Sequence, residues 1–190
     1  MYRIEALLSA RLFLRPELVG DRIFFLSNIS GHNSLYAMDY GGSVPEPLIP
    51  PNVVLQNPHL IGGMSFAVYP DLNKILVMID QDGDENYLPM EIPISGGFPI
   101  PAFNNFFENT RCHMGFADAK KNLCVIAAES REEGMVRTYL CQLDSGEVEE
   151  IFASPYGGYP AVKNDDYSKM VLVEGYMVGD TVAFLWEEGK

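Results

Sequence analysis

Four short apolar runs, each entered through a polar turn, recur at a near-constant interval. That interval constrains the fold more than any other feature of the chain. The runs are Arg22-Ile-Phe-Phe-Leu26, Lys74-Ile-Leu-Val-Met78, Asn122-Leu-Cys-Val-Ile126 and Lys169-Met-Val-Leu-Val173. Their first residues lie 52, 48 and 47 positions apart. A unit this short cannot bury its own apolar faces, so such repeats must stack on one another to make a continuous core.

The surroundings of the runs repeat as well. A turn precedes each one: Pro16 to Asp21, Pro70-Asp71-Leu72-Asn73, Ala117 to Lys121, and Lys163-Asn164-Asp165-Asp166. These residue types favour tight turns through side-chain capping or positive φ. A further apolar segment lies upstream, clearest in Met64-Ser-Phe-Ala-Val-Tyr69. Polar loops follow the runs at 27–34, 80–86, 129–134 and 175–180, and third strands follow the loops at 35–38, 87–92, 136–143 and 181–186. Glycine turns at Gly41-Gly42, Gly96-Gly97 and Ser145-Gly146 then lead to a last short strand, as in residues 147–152. Each unit therefore reads as four antiparallel strands in a meander. The near-continuous apolar character of Ile75-Leu-Val-Met-Ile79 fits a strand buried on both faces. No segment combines a 3.6-residue period with helix caps, which excludes helical solenoids. A repeat of this length, four strands and glycine turns together predict an all-β chain of β-propeller blades, approximately 1–52, 53–103, 104–154 and 155–190.

The last of these units stops at Trp186-Glu-Glu-Gly-Lys190, where a glycine turn and an outermost strand are due. Propellers close with roughly 4–8 blades because closure covers the end sheets. The expectation is therefore the N-terminal part of a larger propeller, with self-association through open end blades. A small closed four-blade ring, or a half ring completed by a partner, are the alternatives.

Charge and cysteine usage narrow the function. Thirteen Lys and Arg stand against 26 Asp and Glu, a net charge of −13, which argues against phosphate-backbone binding and so against nucleic acid. Residues 4–8 are apolar apart from Glu5, but Arg11 and Arg15 interrupt before a signal sequence forms, and no run approaches the ~18 apolar residues of a membrane helix. Cys112, Cys124 and Cys141 are odd in number and lack CxxC spacing. They read as reduced, buried thiols, in keeping with a cytoplasmic location.

With the repeats aligned, the chain resembles the propeller domain of the prolyl oligopeptidase family of serine peptidases, including its acylaminoacyl-peptidase-like members. Tyr69-Pro70-Asp71-Leu72-Asn73-Lys74 is similar to that family's recurrent Ser-Pro-Asp-Gly-Lys turn, with Leu and Asn substituted near its end. Asp82-Gly83-Asp84-Glu85-Asn86-Tyr87 resembles its Gly-x-Glu-x-hydrophobic hairpin, and the Gly96-Gly97 and Ser145-Gly146 turns fit as well. TolB-like propellers share this turn grammar, whereas the Gly-His…Trp-Asp signature of WD40 blades is missing. The resemblance implies a propeller that caps an α/β-hydrolase domain and gates peptide substrates, with the Ser-His-Asp triad outside this chain. A non-enzymatic TolB-like or scaffold propeller, binding a protein or small ligand, is the competing class.

Candidate chemistry within the 190 residues is sparse, and no catalytic, cofactor or metal site is expected. Gly63-Met-Ser65-Phe-Ala67 only approaches a Gly-x-Ser-x-Gly elbow and carries strand signals on both sides, so Ser65 reads as a strand residue. His32, His59 and His113 fall in separate repeats and read as loop or satisfied core histidines. Asp80, Asp82 and Asp84, with Glu91, mimic positions 1, 3, 5 and 12 of a calcium loop, but Glu85 occupies the position that needs glycine. Dipeptidyl-peptidase members of the resembled family hold a substrate amine with a propeller glutamate pair. The sequence around Glu132-Glu133 does not match that motif, so the pair reads as a solvated loop tip. Tyr156-Gly157-Gly158-Tyr159-Pro160 resembles the glycine-rich entry to an innermost strand.

Overall fold

A computed structural model of the chain describes residues 11–56, 64–80 and 83–189, and these form four separate antiparallel sheets. The first contains β1 (Phe13–Val19), β2 (Arg22–Ser27), β3 (Ser34–Asp39) and β4 (Glu46–Pro47) in that order. The second holds β5 (Val54–Leu55), β6 (Phe66–Tyr69), β7 (Lys74–Asp80), β8 (Tyr87–Pro93) and β9 (Ile100–Pro101). The third runs β10 (Thr110–Asp118), β11 (Leu123–Ser130), β12 (Val136–Gln142), β13 (Val148–Ser154). The fourth has β14 (Gly157–Lys163), β15 (Lys169–Met177) and β16 (Asp180–Glu187). Among the described residues the helical pieces are two short 3₁₀ turns, Pro70–Leu72 and Phe103–Asn105. The fold is an all-β set of propeller blades.

The four periodic runs are the second strands β2, β7, β11 and β15. Just before each, one residue takes the left-handed conformation that reverses the chain: Gly20, Asn73, Asn122 and Tyr167. Asn122, which the run predicts as the first strand residue, is this turn residue instead. The second sheet also departs from a simple four-strand meander. Its inner edge is divided, because β5 pairs with the end of β7 while β6 pairs with its beginning.

Alternation along the second strands locks the sheets face to face. On β7, Ile75, Val77 and Ile79 join Phe24, Leu26 and Leu35 of the first sheet in one core. Leu76 and Met78 point the other way and join Cys112, Met114, Cys124 and Ile126 of the third sheet. On β11, Leu123 and Val125 complete a third core with Met170 and Leu172 of β15. Each fully buried aliphatic side chain contributes roughly 1.5–3 kcal/mol, so the stacking stabilises every sheet through its neighbours. Tyr69 fastens the second sheet to the third by donating its hydroxyl to the Leu123 carbonyl at 3.0 Å.

Two departures follow from position in the stack. On β15, Met170 and Leu172 are buried but Val171 and Val173 are only half-buried. The continuous burial predicted for second strands fails there because no sheet covers that face among the described residues. On the outer face of the first sheet, Phe25 escapes exposure because the Phe13 ring lies 5.6 Å from it and the Tyr36 ring 6.0 Å.

The first strands of successive sheets lie side by side and form the inner rim. Met64 bridges to Met114, and β10 approaches β14 so closely that a Cβ on Gly115 would sit 2.4 Å from Pro160 Cγ. Gly115 lies at the bulge of β10, between Met114 and Phe116.

Candidate functional site

Polar side chains converge where the inner rim meets the loops between second and third strands. Arg111 and His113, two residues apart on β10, fall on the same side of that strand. Antiparallel pairing sets Arg111 opposite Glu129 near the end of β11. The loop of the preceding sheet brings Glu85 and Asn86, and β14 of the next sheet brings Tyr159. Three blades thus contribute to one cluster.

Glu129 is its centre. Its Oε1 accepts from His113 Nε2 at 3.1 Å and from the Tyr159 hydroxyl at 2.7 Å. A carboxylate only accepts, so the network assigns the His113 proton to Nε2. His113 is 7% exposed, and its Nδ1 is buried with no hydrogen-bond partner. The rings of Tyr87 and Tyr159 meet His113 edge-on at 6.3 and 6.0 Å. The hydrogen bond from His113 holds the Glu129 carboxyl below its ordinary 4.5, outweighing burial, with Tyr159 and Arg111 adding to the effect. Burial pushes the Tyr159 phenol upward, and its bond to Glu129 pushes the same way. The group is therefore a charged acceptor between two fixed donors, and it ties the third blade to the fourth.

Arg111 is placed differently. Its guanidinium lies 5.6 Å from the centre of the Tyr87 ring, a cation–π contact. Its nearest carboxylates are Glu85 at 3.7 Å and Glu129 at 4.0 Å, both beyond hydrogen-bond length, and its Nε is buried without a hydrogen-bond partner. Beside it, Arg131 donates to the Asn86 side-chain carbonyl. Asp84, Glu85, Asn86, Arg111, Glu129, Ser130 and Arg131 enclose a hollow of about 250 Å³.

The residues singled out from sequence divide clearly. Ser65 is buried, its hydroxyl 3.4 Å from the Gln56 carbonyl. His32 lies in the loop after β2, far in sequence from the cluster, with a buried, unpartnered Nε2. His59 and Asp82 lie outside the described residues. Of the described members of the calcium-loop pattern, Asp80 caps Glu85 N–H, Asp84 is bonded to Asn86, and Glu91 pairs with Lys74 at 2.6 Å. Glu133 is engaged by Arg137 at 2.5 Å, and Glu132 N–H is bonded to the Ser130 hydroxyl. Gly157 and Gly158 lead into β14, where a Cβ on Gly158 would collide with the Phe152 ring at 2.5 Å. Cys112, Cys124 and Cys141 are buried free thiols, and burial raises the Cys112 thiol to about 12, so it holds its proton at physiological pH. Arg111, Glu129 and Arg131 were not legible as site residues. The available signal was the Arg111-x-His113 alternation opposite a glutamate, which needs the strand register to be read.

The sequence matches no protein-family model and no curated protein. Among solved structures, the chain is similar to one from an analysis of two prolyl endopeptidases, with a TM-score of 0.65 and 9% identity over 96% of this chain and 29% of that one. It is also similar to a puromycin-hydrolysing peptidase of Mycobacterium tuberculosis, with a TM-score of 0.59 and 15% identity over 86% of this chain and 26% of the other. The β-propeller domain of the trilobed protease from Pyrococcus furiosus, described as having an open velcro topology, gives a TM-score of 0.59 at 16% identity, covering 96% of this chain and 56% of the domain. The chain thus spans between 26% and 56% of the length of these solved chains. At such identities the similarity is one of fold: four repeats with propeller-blade architecture.

Proposed function

We propose that these four blades are the propeller segment of a prolyl-oligopeptidase-like serine peptidase. In this reading they gate the approach of peptides and dock against an α/β-hydrolase domain encoded outside these 190 residues. The observation that carries it is the polar mouth of the inner rim. Charged and hydrogen-bonding groups from three successive blades gather at one end of the innermost strands, where a peptide passing a capping domain would meet them. The turn motifs shared with that peptidase family support the same reading, as does the fold similarity to a prolyl endopeptidase whose inter-domain dynamics bear on catalysis and specificity. The outer faces of the first and fourth sheets, with Phe13, Leu18 and Leu185 exposed, are suited to cover by further blades.

The test uses the complete gene product. A fluorophosphonate probe is expected to label a serine in it, and the labelled protein is expected to cleave short peptides while sparing folded proteins. A complete product that takes no label would overturn the peptidase reading in favour of a binding propeller.

A further inference from the structure

A second hollow lies at the opposite end of the second sheet, away from the polar mouth. Lys74 alternates with Leu76 and Met78 along β7, and Glu91 on β8 stands opposite Leu76, so both lie on the side that packs against the third sheet. Leu72, Pro93, Phe98 and Ile100 wall the hollow, Lys74 and Glu91 lie between them, and together they enclose about 380 Å³. That falls within the roughly 300–1,000 Å³ of small-molecule sites, which are mostly apolar with a few placed polar groups. Phe98 is 80% exposed, yet the turn that carries it is braced on the first sheet. Gly97 N–H donates to the Leu48 carbonyl at 2.9 Å, and Gly96, at φ +89°, lies so close that a Cβ would meet that oxygen at 2.9 Å.

The polar floor of the hollow carries one open acceptor. Ion pairs recur at this end of three sheets: Arg22–Glu46, Lys74–Glu91 and Lys169–Glu187. Their carboxylate side chains are 70%, 11% and 22% exposed, so Glu91 is the most desolvated of the three. It meets Lys74 through Oε2 at 2.6 Å, and among the described residues its Oε1 accepts no hydrogen bond. A cationic ligand is repelled by Lys74 and an anionic one by Glu91. A neutral hydroxyl suits both, because it donates to the carboxylate and accepts from the ammonium, whereas an indole N–H only donates. The Phe98 ring and the aliphatic walls favour an aromatic body behind that hydroxyl.

From this geometry we infer that the hollow binds an uncharged phenol ring, presented as a tyrosine side chain of a partner or as a small free phenol. The ring packs on Phe98 and Ile100, and its hydroxyl donates to Glu91 and accepts from Lys74. The inference stands whether or not a hydrolase domain adjoins the propeller, because the hollow lies away from the mouth and uses only groups within this chain.

Methyl NMR titration of the 190-residue protein tests it with phenol, anisole, benzoate, benzylammonium and N-acetyl-tyrosinamide. Phenol is expected to bind at millimolar concentration and to shift the Leu72 and Ile100 methyl signals. It should bind at least about tenfold more tightly than anisole, which keeps the ring but has no donor for the carboxylate. Benzoate and benzylammonium should both bind more weakly than phenol. Tighter binding by N-acetyl-tyrosinamide assigns the site to a partner's side chain, and weaker binding assigns it to free phenols. Phe98→Ser, at an exposed position where a thermal melt should be unchanged, is expected to weaken phenol at least about fivefold. Glu91→Gln should narrow the gap between phenol and anisole, because the acceptor loses its charge. Equal binding of phenol and anisole overturns the proposal. So do tighter binding by either charged ring, unmoved Leu72 and Ile100 signals, indifference to Phe98→Ser, and an unchanged gap in Glu91→Gln.

Discussion

The third and fourth sheets carry nearly the same second strand and use it differently. β11 reads Leu-Cys-Val-Ile-Ala-Ala from Leu123, and every one of those side chains is buried. β15 reads Met-Val-Leu-Val from Met170, yet only Met170 and Leu172 are buried. The cause is the neighbour. β11 lies between the second and fourth sheets, while among the described residues β15 packs on the third sheet alone. An apolar run therefore states what a strand can bury, and its place in the stack decides how much it does.

That contrast can be broken at matched residues. Val125→Ala on β11 removes two buried methyl groups and leaves a cavity, for an expected loss of about 2–3 kcal/mol. Val171→Ala on β15, half-buried, should cost about 1 kcal/mol. Urea denaturation of the two variants measures the difference, and equal losses would mean that another surface covers β15 in solution.

The seam between the two sheets offers the next largest effect. Gly115→Ala places a methyl 2.4 Å from a rigid proline ring, so β10 and β14 must separate. Overpacking of this kind costs about 1–3 kcal/mol. Pro160→Ala in the same chain should recover most of that loss in a thermal melt, whereas an unchanged loss would mean that the strain lies elsewhere.

A smaller, pH-dependent effect belongs to the Glu129 bridge across the seam. Its carboxyl titrates lower in the folded protein than its ordinary 4.5. The stability it contributes is therefore fully present above about 4.5 and is lost as pH falls through the lower folded value. The Glu129 side chain is 33% exposed to solvent screening, so Glu129→Gln is expected to cost under about 1 kcal/mol at neutral pH. The gap between variant and parent should close as the solution is acidified below 4.5. A gap that widens with acid would refute the bridge.

The smallest change in stability is expected on the open side of the fourth sheet. Leu185 is 59% exposed and stands opposite half-buried Val171 on that face. Leu185→Lys should alter stability by no more than about 0.5 kcal/mol. The same substitution should lower the apparent mass in light scattering if the uncovered faces drive self-association. A loss of core-like size would show that this side chain is covered.

The fold was legible because its signals are local. Asn73, Gly42, Gly96 and Gly146 all take the positive φ that their residue types predict at those turns. The candidate site was far less legible. His113 reads as an isolated histidine because its partners, Glu129 and Tyr159, come from a neighbouring strand and the next blade. Conversely, Asp80, Asp84 and Glu91 looked like a cluster because they are close in sequence. The hairpin separates them, since Glu91 lies along β8 and turns to Lys74.

By itself, then, the sequence determined the repeat, the strand order within each blade and the residues able to enter a core. Hydrophobic alternation and turn chemistry act over only a few residues, so they can be read without coordinates. Only the tertiary structure decided which faces are covered, that β5 and β6 share an inner edge, and that Arg111, His113, Glu129, Arg131 and Tyr159 meet. Those outcomes depend on pairing register and on which sheet lies against which, and contacts between residues so distant in sequence leave no local pattern.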